Sequence, residues 1–305
     1  MNQTQSAFQD SDCLRPSSFQ RTLTRSATIT GPGLFHGVDC KLVLHPAGEN
    51  TGIRFCRVDL PGKPTVAARV ENVTSATRRT VLSANGATVE TTEHLMAALA
   101  GLQVDNCLIE LNAPEVPAVD GSCLPFCEVI LDAGISDQSV ARALYQVPEA
   151  HAAAGEGGER LEITPLFGNE LAICYQLDYG CDSAVPGGAF SLTVTPEAFL
   201  NEIAAARTFV LEKEVEALRQ MGFGRHLTEA DIVVFAGDGT IPGNSLRWPD
   251  EPVRHKILDC IGDLALCGFP FAGQIIARRS GHKLNHVMAS IVSMMSGRGI
   301  LRRAA

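Results

Sequence analysis

The stretch from Glu251 to Cys267 is the strongest constraint on how this chain can fold. Its residues favour a helix stopped by Gly268 and Pro270, and Leu258, Ile261, Leu264 and Leu266 make so much of its surface apolar that it must be largely buried. Yet His255, Asp259 and Asp263 follow one another at intervals of four residues, and at about 3.6 residues per turn they share one stripe of that helix. A carboxylate carried into a core needs a partner or a cation. Two readings stay open on this ground: a solvated or salt-bridged stripe, which is the commoner arrangement, and a stripe in which two members share a metal ion.

A chain of 305 residues exceeds what one hydrophobic core usually serves, which predicts two domains of roughly 100 to 150 residues. Residues 1–18 are polar and without periodicity, a loose arm. From Phe19 the pattern becomes structured: strands over Cys40–His45 and Gly52–Val58, a helix over Thr92–Leu99 with Thr92 as N-cap and Gly101 as its stop, and a strand over Asn106–Leu111. A tight turn at Asp120–Ser122 and a helix over Pro125–Ala133 follow. Val147–Arg160 is rich in Ala, Gly, Glu and Pro and reads as a linker. The second half repeats the style of the first, with strands near Leu161–Thr164, Leu171–Leu177, Phe190–Val194, Asp231–Phe235 and Gly273–Arg278. Its helices are predicted over Pro196–Ala206, Glu212–Gln220, Glu251–Cys267 and Leu284–Met295. The chain is therefore predicted as two α+β domains, residues 19–146 and 161–305, joined by residues 147–160.

A formal charge of −9 argues against nucleic acid as a partner, because that binding is driven by neutralising phosphates with Lys and Arg. The first twenty residues hold Asp10 and Asp12 but no apolar segment, so they do not read as a secretory signal. The longest apolar run, Leu264–Ala277, is broken by Gly268, Pro270, Gly273 and Gln274 and is too short to span a bilayer. The ten cysteines lack CxxC spacing and read as reduced core residues. These features predict a cytoplasmic protein.

Two further constellations carry chemistry. Glu93 and His94 are adjacent at a helix start, so their side chains point about 100° apart, and one can bind a metal while the other faces a water. The bland reading has Glu93 complementing the helix end and His94 packing on the next layer. Gly281 and His282 follow a strand, where a glycine lets the backbone turn and present the histidine at a cleft, although a loop histidine is more often simply exposed. Together the three segments supply three protein ligands and further acid–base groups, the pattern of catalytic rather than structural zinc.

The segments VETTEHLMAALAGLQVDNCLIELNAPEVPAVDGSCLPF, AARTFV, LRWPDEPVRHKILDCIGDLALCGFP and RRSGHKLNH resemble the zinc-dependent UDP-3-O-acyl-N-acetylglucosamine deacetylases of lipid A biosynthesis, over residues 19–300. The resemblance implies that His94, His255 and Asp259 hold Zn2+, with Fe2+ also accepted by such a set. It makes Glu93 the general base, His282 the group that protonates the departing amine, Asp263 the partner that orients His282, and Thr208 a contact for the oxyanion. It assigns Lys256 and Arg279 to the diphosphate, Tyr179 to the uracil, and Phe209 to the substrate. It also implies two similar domains, each layering helices on a sheet, with the active site in the cleft between them. An inserted segment near 210–234, with Leu211, Leu218, Met221 and Phe223, would frame a passage for the acyl chain. The partner implied is an acylated UDP-sugar met by a monomer, in transient contact with a membrane surface.

Two stretches depart from the family pattern. Gly224, Arg225, His226, Leu227 and Thr228 replace a glycine-rich stretch and are one residue shorter, and Gly33, Leu34, Phe35, His36 and Gly37 replace a pattern in which His follows Leu directly. His36 is not predicted as a ligand. Alternatives to the deacetylase are a paralogue acting on another N-acyl sugar and a catalytically silent relative that binds a sugar nucleotide or lipid. Retention of the ligands together with a base and an acid argues against silence.

Overall fold

The computed structural model describes residues 17–228, 231–237 and 239–297. Residues 1–16, most of the predicted arm, lie outside them. Each half of the chain builds a sheet with the same strand order. In the first, Ala27–Pro32, Asp39–Pro46, Cys107–Leu111, Ile53–Arg57 and Thr65–Ala67 lie side by side. In the second, the order is His151–Ala154, Arg160–Thr164, Phe271–Arg278, Leu171–Leu177 and Gly188–Thr193. The central strand, last in sequence, is antiparallel to the neighbour on one side and parallel to the neighbour on the other in both sheets. Alternation fixes which face is covered: Cys40, Leu42 and Leu44 point inward from one strand, and Ile173, Tyr175 and Leu177 from another.

Helices pack on these sheets in matching places. In the first half, α1 (Glu93–Gly101) precedes the central strand and α2 (Leu124–Ala133) follows it. In the second half, after α3 (Pro196–Glu202) and α4 (Glu212–Gln220), α5 (Glu251–Leu264) precedes the central strand and α6 (His282–Met295) follows it. Each half also carries a small three-stranded sheet before its long helix. These are Val73–Thr74 with Val81–Ala84 and Ala87–Glu90, and Phe209–Leu211 with Val233–Ala236 and Gly239–Thr240. The fold is α+β with two similar halves.

The predicted burial of the Glu251 helix holds, since every residue of α5 except Lys256 is buried. It packs on α1, which is buried almost all round. The contact is closest at Gly262, where an added Cβ would lie 2.0 Å from the carbonyl oxygen of Glu93. The absent side chain therefore lets the two helices meet backbone to backbone.

Several expectations are corrected. The 147–160 segment is not a linker: His151–Ala154 is a strand paired with Arg160–Thr164, and Gly155 N donates to Glu159 O at 2.9 Å to close the turn between them. The crossing occurs earlier, between Ala141, whose strand pairs with Phe19–Leu23, and Tyr145, which pairs with Phe271. Gly101 does not stop its helix by turning. It is the last helical residue, kept small because a Cβ would lie 2.2 Å from the Phe199 ring. Thr92 precedes α1 as predicted, but its side chain makes no cap bond. The helix from Pro196 ends at Glu202 rather than Ala206, because Ile203, Ala204 and Ala206 leave it for the core.

Candidate active site

The meeting of α1 and α5 brings together residues far apart in sequence. One side-chain ligand atom from each of His94, His255 and Asp259 falls within 4.8 Å of the others. His94 Nε2 is 3.7 Å, and His255 Nε2 3.4 Å, from Asp259 Oδ1. The imidazole of His255 is held by its other nitrogen, Nδ1, 3.0 Å from the carbonyl oxygen of Ala206. Asp259 Oδ1 is buried and has no hydrogen-bond partner, although its other oxygen pairs with Lys256 Nζ.

The electrostatics favour a cation there. Burial, reinforced by His255, pushes His94 down to about 3, and burial lowers His255 too, so both rings are neutral near pH 7 with a lone pair free. Burial alone would raise Asp259, but the Lys256 ammonium, with the charged His282 beside it, outweighs burial and holds the carboxyl well below the usual range. Two neutral imidazoles and a carboxylate suit a divalent metal such as zinc. An orphaned buried carboxylate oxygen between them is the observation that such an ion satisfies.

Glu93 and His282 flank this cluster. His282 Nε2 lies 4.0 Å from Glu93 Oε1 and from Asp259 Oδ2. Its Nδ1 is 2.8 Å from Asp263 Oδ2. Burial raises the Glu93 carboxyl to about 7. For His282, burial acts downward, but Asp263 and then Asp259 outweigh it and lift the imidazole to about 9. At neutral pH the site thus pairs a half-ionised carboxylate with a protonated imidazole, the complement of groups a proton-transferring hydrolase needs.

Residues that sequence reasoning missed hold these groups in place. Thr80 donates its backbone N–H to Glu93 Oε2 at 3.1 Å and its hydroxyl to Asp263 Oδ1 at 2.5 Å, so one residue fixes both carboxylates. Asn285 Nδ2 donates to Asp263 Oδ2 at 2.9 Å, and His286 Nε2 is 2.9 Å from Thr80 Oγ1. Asn285 and His286 follow His282 by three and four residues on α6, a spacing visible in the sequence. Thr80 arrives through the first small sheet and carries no such signal. The sharp turn before His282 falls at Arg279, whose φ is 53°, whereas Gly281 has ordinary extended backbone. The turning role expected of the glycine is thereby corrected.

A cavity of about 1050 Å3 opens from the cluster. Thr208, Phe209, Tyr179, Lys256 and Arg279 all line it, with the rings of Tyr179 and Phe209 edge to face at 5.9 Å. Thr208 is set by backbone: its N–H donates to Gly121 O at 2.8 Å, and the neighbouring Arg207 is locked in a buried pair with Glu251 at 2.8 Å. Leu34, Phe35, Leu211, Leu218, Phe223 and Leu227 give one stretch of its wall an apolar surface, while Arg78, Glu156, Glu159, Glu214 and Lys283 line it elsewhere. Met221, predicted to join the apolar stretch, is 62% exposed and does not line the cavity. Among the described residues no helix is long and apolar enough to cross a membrane.

A family model described as UDP-3-O-acyl N-acetylglycosamine deacetylase matches residues 20–293. The chain is 39% identical over 274 residues to a UDP-3-O-acyl-N-acetylglucosamine deacetylase of Myxococcus xanthus, covering 90% of this chain and 86% of that protein. It is 37% identical over 278 residues to the protein of the same name from Neisseria gonorrhoeae, with coverage of 90% and 89%. It is 38% identical over 272 residues to the one from a Geobacter species, with coverage of 89% and 88%.

Proposed function

The chain belongs to the UDP-3-O-acyl N-acetylglycosamine deacetylase family, and from that premise we propose that it hydrolyses the acetamide of a 3-O-acylated UDP-N-acetylglucosamine, releasing acetate and a free amine in lipid A biosynthesis. In this reading His94, His255 and Asp259 hold one zinc ion, ferrous iron being the other ion that such a donor set accepts. The metal, when bound, supplies Lewis-acid polarisation of the acetamide carbonyl.

The chain's own residues divide the remaining work. Glu93, ionised and anchored on Thr80, takes a proton from the water whose oxygen attacks the carbonyl carbon. The Thr208 hydroxyl donates to the oxyanion that develops. His282, kept charged by Asp263, gives its proton to the amide nitrogen, the carbon–nitrogen bond breaks, and acetate departs. Lys256 and Arg279 offer fixed positive charge to a diphosphate, with Tyr179 and Phe209 beside them as an aromatic surface for the base. The apolar wall suits the acyl chain. The proposal extends to a single chain as the working unit and to the cytoplasm as its compartment.

The observation that carries this reading is the convergence of His94, His255 and Asp259 around an unpartnered, buried Asp259 Oδ1, with Glu93 and His282 beside them. The test is acetate release from the acylated UDP-sugar, measured on the same sample as metal content. Activity is expected with about one metal per chain, abolished by chelation and restored by zinc. Full acetate release from a protein stripped of metal overturns the reading.

A further inference from the structure

The mechanism leaves one imidazole beside the site unused. His286 lies about one turn after His282 on α6, with the two rings stacked, their centroids 6.4 Å apart and their planes 28° apart. The two histidines straddle the Asp263 carboxylate: His282 Nδ1 is 2.8 Å from Oδ2, and His286 Nε2 is 3.3 Å from Oδ1. His286 Nε2 is also 2.9 Å from Thr80 Oγ1, which itself lies 2.5 Å from Asp263 Oδ1. Thr80 Oγ1, Asp263 Oδ1 and His286 Nε2 thus form a closed triangle of polar atoms.

What each atom can give fixes where the protons sit in that triangle. Burial acts upward on Asp263, but the charge of His282 and the hydrogen bonds from both histidines outweigh it and keep the carboxyl ionised, so Oδ1 only accepts. Thr80 has a single hydroxyl proton. Turned toward His286, it would leave Oδ1, on a residue with no exposed surface, facing the lone pairs of both neighbours. Turned toward Oδ1, it leaves Thr80 Oγ1 as an acceptor, and the Nε2–H of His286 is the donor that meets it. Nε2 therefore carries a proton whatever the charge on the ring. Among the described residues Nδ1 of His286 has no partner that would favour the other tautomer.

We propose that His286 is a positioning residue of this site: its Nε2–H commits the Thr80 hydroxyl to Asp263, which holds that carboxylate against His282 while the Thr80 backbone N–H holds Glu93. The inference rests on the deacetylase reading for the reaction it serves. Acid and base are then aligned from one threonine, and the threonine from one histidine. His286 touches no reacting atom, and it works through the proton it donates rather than through its charge.

The test sets His286→Gln against His286→Leu. The glutamine amide nitrogen reaches close to the place of Nε2 and keeps a donor for Thr80, whereas leucine fills the space and keeps none. In acetate release from the acylated UDP-sugar, His286→Leu should lower kcat by roughly tenfold or more, with KM and metal content near the parent values. His286→Gln should restore most of that kcat, which a role in packing alone does not explain. Thr80→Val removes the hydroxyl but keeps the N–H that holds Glu93. Adding His286→Leu to Thr80→Val should cost less than about twofold more, because the acceptor is already gone. NMR spectra of the zinc-loaded parent, isotope-labelled at histidine, read the same bond without turnover: the signal missing from His286→Gln should show a protonated Nε2. A bare Nε2 on His286, an unchanged kcat in His286→Leu, or a His286→Leu penalty as large in Thr80→Val as in the parent overturns the positioning role. A parent that shows the protonated Nε2 but releases no acetate refutes the deacetylase reading and leaves the proton order standing.

Discussion

Gly262→Ala separates catalysis from stability in a way the structure makes quantitative. The added Cβ would lie 2.0 Å from Glu93 O and 2.9 Å from Glu93 C. Carbon–oxygen contacts close to no less than about 3.3 Å, so α5 must retreat from the first turn of α1 by more than about 1 Å. Both obstructing atoms are backbone, so no side-chain rotation relieves them. Overpacking of this kind costs roughly 1–3 kcal/mol, offset by the roughly 1 kcal/mol that alanine gains over glycine inside a helix. The net loss of stability is therefore about 2 kcal/mol at most, a fall in Tm of several degrees. The same retreat moves Glu93 and His94 on α1 away from His255 and Asp259 on α5, and a misplacement of about 1 Å costs about a hundredfold in rate. Acetate-release kcat should fall by that order while Tm falls by no more than several degrees, and metal content should drop. Gly281→Ala is the control for stability: nothing lies within 4 Å of its Cβ, so Tm should stay near the parent value. A Gly262→Ala enzyme with kcat within twofold of the parent would show that the close helix contact does not set the site's geometry.

Three further outcomes are expected. The His94→Ala, His255→Ala double variant should lose the metal, and zinc should raise the Tm of the stripped parent but not that of the double variant, because only a site that binds the folded state stabilises it. The rate should depend on pH as a bell. Glu93 works ionised, so activity is lost as pH falls through about 7. His282 works protonated, so activity is lost as pH rises through about 9. An unchanged basic limb in His282→Ala would remove His282 from that role. Asp263→Asn deletes the charge that most raises His282, so the basic limb should move to lower pH, by kcat–pH profiles, while the acid limb shifts less.

What the sequence revealed was local. The four-residue spacing of His255, Asp259 and Asp263 needs only helical periodicity, and the apolar neighbours alone required α5 to be buried. The inner strands of both sheets were readable because one covered face imposes alternation, but Ala27–Pro32 and Thr65–Ala67, at the edges of the first sheet, were not predicted. The edge strand His151–Ala154 was not, since only Ala153 is buried and an edge needs no apolar pattern. Thr80 was illegible for another reason: its two bonds join residues 13 and 183 positions away, and nothing about an isolated threonine encodes them. Gly101 and Gly262 show the same limit, because a glycine demanded by a neighbouring helix looks in sequence like one demanded by a turn.

The shared topology of the two halves explains why the proton-handling groups need different support. Glu93 opens α1 and His282 opens α6, so each sits at a helix N-terminus, where exposed N–H groups favour negative charge. For Glu93 that field opposes burial, and a single N–H from Thr80 suffices as the carboxylate's partner. For His282 the field acts in the same direction as burial, against the imidazolium. A protonated His282 near neutral pH therefore requires carboxylates strong enough to overcome both, and Asp263 from α5 supplies the larger share at 2.8 Å. Asp263 can stay ionised in a fully buried position because Thr80, Asn285 and His282 all bond to it. In the proposed mechanism the third member of the α5 stripe thus acts not as a ligand but as the counter-charge that lets a helix start carry an acid.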